Sequence, residues 1–355
     1  EKGIYLGDTS ERDPLFVDFH TKDMTRNSHS QIILGKSGSG KTTYICKLVF
    51  KLWKYPRQTI FMIDPKKDYE VLVKNLKGEY IDMSGSSVNS SRINPFQVFI
   101  ANHADGSNPL ASQYRFLTDF FTILTPNLED SCRPIIDRAI KTVYFNKKIV
   151  ATTDFKKMGN NDWPIMQEFV DIIHKMLSES NSLFTREQIL LTVGSLEKFT
   201  KYGNLSNIWN GFTNIDVKNQ LICFNIQKLV TDFDDGSSIP NAQLYLLLKY
   251  MNSFIINNKN YNDNIYAKEK TDTNFNWVDI FIDEGHVLTT SKNKTPLMFL
   301  FSMFKTIRSY SGGVHFINQN IQGLMGNERT RELTTGMIDN AQYLTIFSLN
   351  PNDIT

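Results

Sequence analysis

The chain has 355 residues, 41% hydrophobic and 21% charged, with a formal net charge of +2. These are the fractions of an ordinary soluble globular protein, but the length exceeds what one core normally fills, so two lobes or a core with a large insertion are expected. The near-neutral balance does not demand nucleic-acid binding, although a basic patch can sit inside a balanced total.

In chain order, residues 3–19 read as a small N-terminal β hairpin. Tyr5-Leu6 forms one arm and Leu15-Phe16-Val17-Asp18-Phe19 the other, with Gly7-Asp8 and Asp13-Pro14 as turn chemistry. Gln31-Ile32-Ile33-Leu34 is a short buried strand. It leads into Gly35-Lys36-Ser37-Gly38-Ser39-Gly40-Lys41-Thr42, which has the spacing of a phosphate-binding P-loop (Walker A), with Thr43 next in line. The glycines let the backbone curl so that successive N–H groups face an anionic triphosphate. Lys41 adds a positive charge at the outer phosphates, and the Thr42 hydroxyl suits the Mg²⁺ that travels with them. Beyond the loop Ile45, Leu48, Val49, Leu52 and Trp53 recur at helical spacing. Strand, glycine loop and helix start is the context the motif requires; the bland alternative is a chance Gly/Ser-rich turn. The basic ladder Lys47, Lys51, Lys54, Arg57 reads as a solvated helix face rather than a nucleic-acid track.

Thr59-Ile60-Phe61-Met62-Ile63 is a continuous apolar run ending in Asp64-Pro65, as an interior strand of a parallel sheet would be. Tyr80-Ile81-Asp82-Met83 is a further short strand, and Ile93-Asn94-Pro95-Phe96 closes the first part, residues 1–96. From 97 to 219 apolar residues recur at helical spacing in 114–124, 134–145, 166–177 and 187–199, separated by polar, Pro- and Gly-containing breaks. This segment reads as an inserted all-α subdomain. The sheet resumes over 220–355, with Leu221-Ile222-Cys223-Phe224-Asn225-Ile226, a helix over 241–256 and a polar surface loop over 257–276. Three more strands follow: Trp277-Val278-Asp279-Ile280-Phe281-Ile282, Gly313-Val314-His315-Phe316-Ile317-Asn318 and Ala341-Gln342-Tyr343-Leu344-Thr345-Ile346-Phe347. Strands alternating with helical patterns predict an α/β fold with a central, mostly parallel sheet flanked by helices.

Ligands of open parallel sheets bind at the carboxyl ends of strands. Asp283-Glu284 closes one apolar strand and reads as Walker B: Asp283 holding Mg²⁺ through its water shell, Glu284 orienting and deprotonating the attacking water. Gln319 closes the next strand and is placed to touch the γ-phosphate or that water, though an amide there is also a common turn former. Phosphoryl transfer needs extra positive charge at the γ-oxygens, and Arg308, Arg329 and Arg331 are the candidates for an arginine supplied to a neighbouring subunit. Arg308 equally fits a helix C-terminal cation.

Other chemistries find little support. The six histidines show no HExxH spacing, no GxSxG elbow occurs, and the absence of an Asn-Lys-x-Asp run favours ATP over GTP. No apolar run approaches bilayer length, the most hydrophobic being residues 296–304. Glu1-Lys2-Gly3-Ile4 has neither an initiating Met nor the apolar core of a secretory signal, which suggests a fragment. Cys46, Cys132 and Cys223 lack paired spacing, which points to reduced thiols in a cytoplasmic setting.

Several blocks together resemble a known group. They are Asn27-Ser28-His29, Asp64-Pro65-Lys66-Lys67-Asp68-Tyr69, then Gly78, Ile81 and Ser84, Ile93-Asn94-Pro95-Phe96, Ile282-Asp283-Glu284-Gly285-His286 and Asn318-Gln319. The chain is similar through them to the large ATPases of type IV secretion and conjugative transfer systems (the VirB-four, TraC and TraE type), in the wider HerA/FtsK group of RecA-like motors. The likeness spans most of the chain, is specific in the 64–96 block and is weak through the helical insertion.

The resemblance implies a RecA-like ATPase core with an all-α subdomain. It also implies a motor on the cytoplasmic side of the membrane that forms dimers or hexamers and energises a membrane-embedded secretion channel in pilus assembly and substrate transfer. By position it assigns Lys41 and Thr42 to the P-loop, Asp283 and Glu284 to Walker B, Gln319 to the sensor and Arg308 to the inter-subunit finger. Gly285 stands where alanine is more usual, a change expected to be tolerable. The long N-terminal domain that docks such proteins on membrane partners is expected to be lacking, as is a closing C-terminal helix. The rival within the superfamily is a DNA-pumping coupling protein or HerA-like translocase. A nucleotide-binding scaffold is disfavoured by Glu284, and a P-loop kinase by the lack of an acceptor-binding lid.

Overall fold

A computed structural model describes residues 3–20, 28–87, 90–99, 108–179, 183–215, 217–231, 238–289, 294–307, 309–325, 328 and 330–349. By internal contacts the chain divides into two compact units: Glu1–Ile81 with Val217–Gln227 and Leu248–Thr355, and Asp82–Asp216 with Lys228–Leu247.

The first unit is built on a seven-stranded sheet of β3 (Gln31–Leu34), β4 (Gln58–Asp64), β5 (Glu79–Asp82), β6 (Leu221–Asn225), β7 (Trp277–Ile282), β8 (Gly312–Asn318) and β9 (Tyr343–Ile346). Its order is β5-β6-β4-β7-β8-β3-β9. The pairs β6/β4, β4/β7, β7/β8, β8/β3 and β3/β9 are all parallel. Burial follows position. Interior β8 is buried at every residue, as a strand covered on both faces must be, whereas the edge strand β9 alternates, with Leu344 and Ile346 exposed. Helix α1 (Lys41–Trp53) lays Ile45, Leu48, Val49 and Leu52 on one face into a core with Ile33, Ile60, Met62 and Ile317.

The expected hairpin forms, β1 (Ile4–Asp8) pairing antiparallel with β2 (Pro14–Val17). The basic ladder is partly committed to structure. Lys47 donates to the Leu6 carbonyl at 3.1 Å, and Arg57 donates to the Tyr261 hydroxyl at 2.8 Å.

The polar segment 257–276, expected as a loop, is helical for most of its length, because one helix runs over Ser238–Glu269. Local polar pairs replace the missing apolar face. Lys259 pairs with Asp263 one turn on, and Asn264 donates to the Asn260 carbonyl at 2.9 Å. Asn262, buried, clamps the returning chain by exchanging two hydrogen bonds with the Asn276 backbone, at 2.8 and 2.9 Å.

The second unit is helical, with Pro109–Leu124, Arg133–Asn146, Met166–Lys175 and Arg186–Leu196 as its main helices. Phe96, Phe120, Phe121, Phe169, Phe199, Trp163 and Trp209 fill its core. The Ile93-to-Phe96 block lies in this unit. There Asn94, fully buried, donates through its backbone to Thr213 Oγ1 and through Nδ2 to the Pro164 carbonyl. Among the described residues no helix is long and apolar enough to cross a membrane.

Candidate active site

The sheet order decides what the strand ends can share. β8 lies between β7 and β3, and β4 borders β7 on its other side, so the carboxyl ends of β4, β7, β8 and β3 stand in one row. The loops that follow β3, β4 and β7, with the end of β8, line a cavity of about 250 Å³. From the glycine loop come Ser37, Gly38, Gly40, Lys41, Thr42 and Thr43, and from the loop after β4 come Lys66 and Asp68. Asp283, Glu284 and Gln319 complete the wall.

The glycine loop curls back over β3. Gly38 and Gly40 have φ of 75° and 99°, a left-handed conformation that a side chain would strain. Gly40 is also the N-cap of α1, whose first turn holds no acidic residue and no side-chain cap, so its orphan N–H groups and the positive end of its dipole are left for an anion. Lys36 N donates to the Ser348 carbonyl at 2.8 Å and Gly35 N to the Asn318 carbonyl at 3.3 Å, tying the loop to its neighbours. The Ser39 hydroxyl oxygen is buried with no hydrogen-bond partner among the described residues. Lys41 Nζ donates to the Gly35 carbonyl and, at 3.1 Å, to that of Lys36. Burial pushes the Lys41 ammonium below the usual lysine range, while nearby Asp283 and Glu284 oppose that shift.

Asp283 and Glu284 sit in different surroundings although adjacent in sequence. Asp283 is almost fully buried, accepting from the Tyr69 hydroxyl at 2.7 Å and from Glu284 N at 2.8 Å. Burial, with the charges of Glu284 and Asp64, pushes its carboxyl up to about 6, against the lowering effect of those two hydrogen bonds. Glu284 is equally buried, and burial alone would raise it too. His286, Lys66 and Gln319 overcome that with hydrogen bonds and bring it down to about 2. Lys66 forms an ion pair with Oε1, His286 Nδ1 lies 3.0 Å from Oε2, and Gln319 Nε2 donates to both oxygens at 2.9 and 3.0 Å. Glu284 also has φ of 50°, a left-handed conformation costing a residue with a side chain about 1–2 kcal/mol. Strain at a charged, buried strand end is a mark of a site.

Gly285 follows, and in this chain its lack of a side chain matters to the packing. A Cβ there would lie 2.1 Å from Cζ of Phe316, a fully buried ring on β8, so something would have to shift. Gly285→Ala is therefore expected to cost about 1–3 kcal/mol by overpacking. A double-mutant cycle with Phe316→Leu, read in unfolding midpoints, should show the pair less destabilised than the sum. Strict additivity would mean that the two positions do not meet.

Lys66, Tyr69 and His286 had no role assigned from sequence, although all three stand inside blocks that carried the resemblance. Asp64, buried at the end of β4, organises two of them. Its carboxylate accepts from the backbone N–H of Lys66, Asp68 and Tyr69 at 3.1–3.2 Å and from the Tyr80 hydroxyl at 3.0 Å. That turn aims Lys66 at Glu284 and Tyr69 at Asp283. Of the arginine candidates, Arg308 and Arg329 lie outside the described residues, and Arg331 is exposed at the start of the helix Arg331–Asn340.

The residues fit Mg²⁺, a hard cation that takes oxygen ligands and keeps several waters. Asp283 is a carboxylate whose charge burial disfavours, and Thr42 lines the same cavity. Among the described residues no group of three or more His, Cys, Asp or Glu could hold a metal by itself. A magnesium ion held by one hydroxyl, one carboxylate and phosphate oxygens needs no such group.

Known proteins share this fold. The model of the TraG P-loop domain matches residues 3–235. An uncharacterized protein of Bacillus anthracis is 25% identical over 348 residues, covering 91% of this chain and 52% of that protein. The chain thus spans about half the length of the curated relative it matches. VirB4 of Thermoanaerobacter pseudethanolicus superposes with a TM-score of 0.82 at 22% identity, covering 99% of this chain and 86% of that one. The bacterial conjugative coupling protein TrwB, unbound, gives 0.56 at 12% identity over 99% and 74%. TrwB in complex with ADP and Mg²⁺ gives 0.55 at 14% identity over 96% and 72%. These likenesses establish the P-loop NTPase fold.

Proposed function

The chain belongs to the TraG P-loop domain family, and from that premise we propose that it hydrolyses ATP as a motor domain of a type IV secretion or conjugation apparatus. The observation that carries the reading is the cavity in which a P-loop, two strand-end carboxylates and a strand-end amide converge. The N–H groups of Ser37, Gly38 and Gly40 and of the start of α1 would hold the phosphates, with Lys41 turning from its own loop carbonyls to the outer phosphates. Thr42 and Asp283 would hold Mg²⁺, which when bound offsets charge on the β- and γ-oxygens. Glu284 orients the attacking water and accepts its proton, and Gln319 keeps the carboxylate in place. Arg308 is proposed to reach a neighbouring subunit's site in a dimer or hexamer. The partners proposed are membrane-embedded channel proteins at the inner face of the cell membrane, with DNA or protein as the transported substrate.

The test is nucleotide binding and phosphate release with and without Mg²⁺, in the parent and in Lys41→Ala. Losing a charge-assisted contact is expected to weaken ATP binding by about 10–100-fold. A parent that neither binds nor hydrolyses nucleotide would overturn the assignment. The second reading, a DNA-translocating coupling-type motor, draws on the likeness to TrwB. Salt-sensitive DNA binding with severalfold faster hydrolysis would favour it.

A further inference from the structure

We propose that Lys66 is the residue that reads the γ-phosphate: its ammonium leaves Glu284 for the terminal phosphoryl group when ATP enters, and stays on Glu284 when ADP does. The inference rests on the reading of the cavity as a nucleotide site.

Two lysines wall this cavity, and they are held differently. Lys41 Nζ is spent on carbonyls of its own loop. Lys66 Nζ is paired with the buried Glu284 carboxylate, while its side chain remains about half exposed, at 47%. Its charge also acts on Lys41 across the cavity. An ammonium has three donors and a flexible stem, so it can exchange one oxygen partner for another without moving the backbone. The backbone here is pinned: Lys66 N donates to Asp64 at 3.2 Å, and the Lys66 carbonyl accepts from Gln227 Nε2 at 3.4 Å.

The choice of partner follows from charge. A terminal phosphoryl group carries more negative charge than one carboxylate, and it would enter the cavity that Lys66 lines. Glu284 can release the lysine without being orphaned, since His286 and Gln319 stay bonded to it. ATP would thereby take the cation off the carboxylate, which His286 and Gln319 would still hold in place. ADP, lacking the third phosphoryl, would leave the ion pair closed. Lys66 is thus a binding residue for the γ-phosphate and a positioning residue for the base.

The test uses the chain with Lys66→Ala and Lys66→Arg, the dissociation constants of ADP and of a non-hydrolysable ATP analogue, and kcat and KM for ATP. In Lys66→Ala the preference for the triphosphate over ADP is expected to fall by about 10–100-fold, the worth of a charge-assisted hydrogen bond, and kcat to fall with it. Lys66→Arg should recover part of both. An unchanged preference, whether or not kcat falls, overturns the proposal, because Lys66 would then serve Glu284 alone. A parent that binds no nucleotide overturns both this and the reading beneath it; a parent that binds and hydrolyses, with Lys66→Ala indistinguishable, overturns this alone. Matching unfolding midpoints for parent and Lys66→Arg assign any loss of preference to the site, and a drop in midpoint large enough to unfold the variant at the assay temperature overturns the exchange, since Lys66 would then be a structural cation.

Discussion

Glu284→Gln is expected to slow nucleotide hydrolysis by about 10²–10⁴-fold while leaving affinity for ATP near that of the parent. The substitution keeps the shape of the side chain and its hydrogen-bonding reach, so the strained backbone at φ 50° and the backbone bond from Gly285 N to the Ile317 carbonyl at 2.8 Å need not change. What it removes is the anion. An amide cannot take a proton from water, and it gives Lys66 no charge to pair with. Affinity should hold because the phosphates would be gripped by the P-loop, Lys41 and Lys66, none of which the substitution removes. Phosphate release and binding of a fluorescent nucleotide, measured on the same preparation, separate the two effects. Parent-like turnover in the variant would falsify the base assignment. A loss of binding equal to the loss of rate would move Glu284 from the reaction to the phosphate cradle.

Most of the sheet was legible because interior parallel strands leave a plain trace. β4, β7 and β8 are mostly apolar, broken inside β7 by Asp279 and inside β8 by His315, and each is followed by polar residues that line the cavity. The glycine loop was legible because its backbone conformation restricts which residues fit. Lys66 and Tyr69 were not, since nothing local gives a lysine or a tyrosine its partner. Their roles appear only once β4 is known to lie against β7, which brings residues more than 200 positions apart into contact, as the Tyr69–Asp283 hydrogen bond shows. The helix through 257–269 escaped for the opposite reason. Its support comes from polar pairs such as Lys259 with Asp263 and the Asn262 clamp on Asn276, which a search for apolar periodicity passes over. What an added methyl group at Gly285 would meet was likewise not legible, because Phe316 is brought there by the pairing of β7 with β8.

Asp279→Asn is expected to destabilise the first unit by about 3–5 kcal/mol without touching the nucleotide cavity. Asp279 stands in the middle of β7, fully buried, and its carboxylate gathers three side chains from three other parts of the chain. Oδ2 meets His20 Nε2 at 3.0 Å and accepts from Gln58 Nε2 at 2.9 Å, and Oδ1 meets His315 Nε2 at 2.9 Å. The bonds continue outward: His315 Nδ1 lies 3.1 Å from Gln31 Oε1, and Gln31 Nε2 donates to the Tyr44 hydroxyl on α1 at 2.9 Å. His20, which follows the hairpin, is stacked on Trp277 at 4.2 Å, so one carboxylate holds the N-terminal segment, β4, β7 and β8 together. An amide would turn an N–H toward groups that are themselves donors, leaving buried polar atoms unpaired. Burial alone would raise this carboxyl, but the hydrogen bonds and charge of His20 and His315 hold it well below the usual carboxylate range. A depressed carboxylate contributes its stability above its unfolded-state value and loses it as pH falls through the folded-state value. The gap in urea midpoint between the parent and Asp279→Asn should therefore be widest near neutrality and narrow as pH drops below about 4. A gap that stayed constant with pH would mean that packing, not the ionised carboxylate, is what Asp279 supplies.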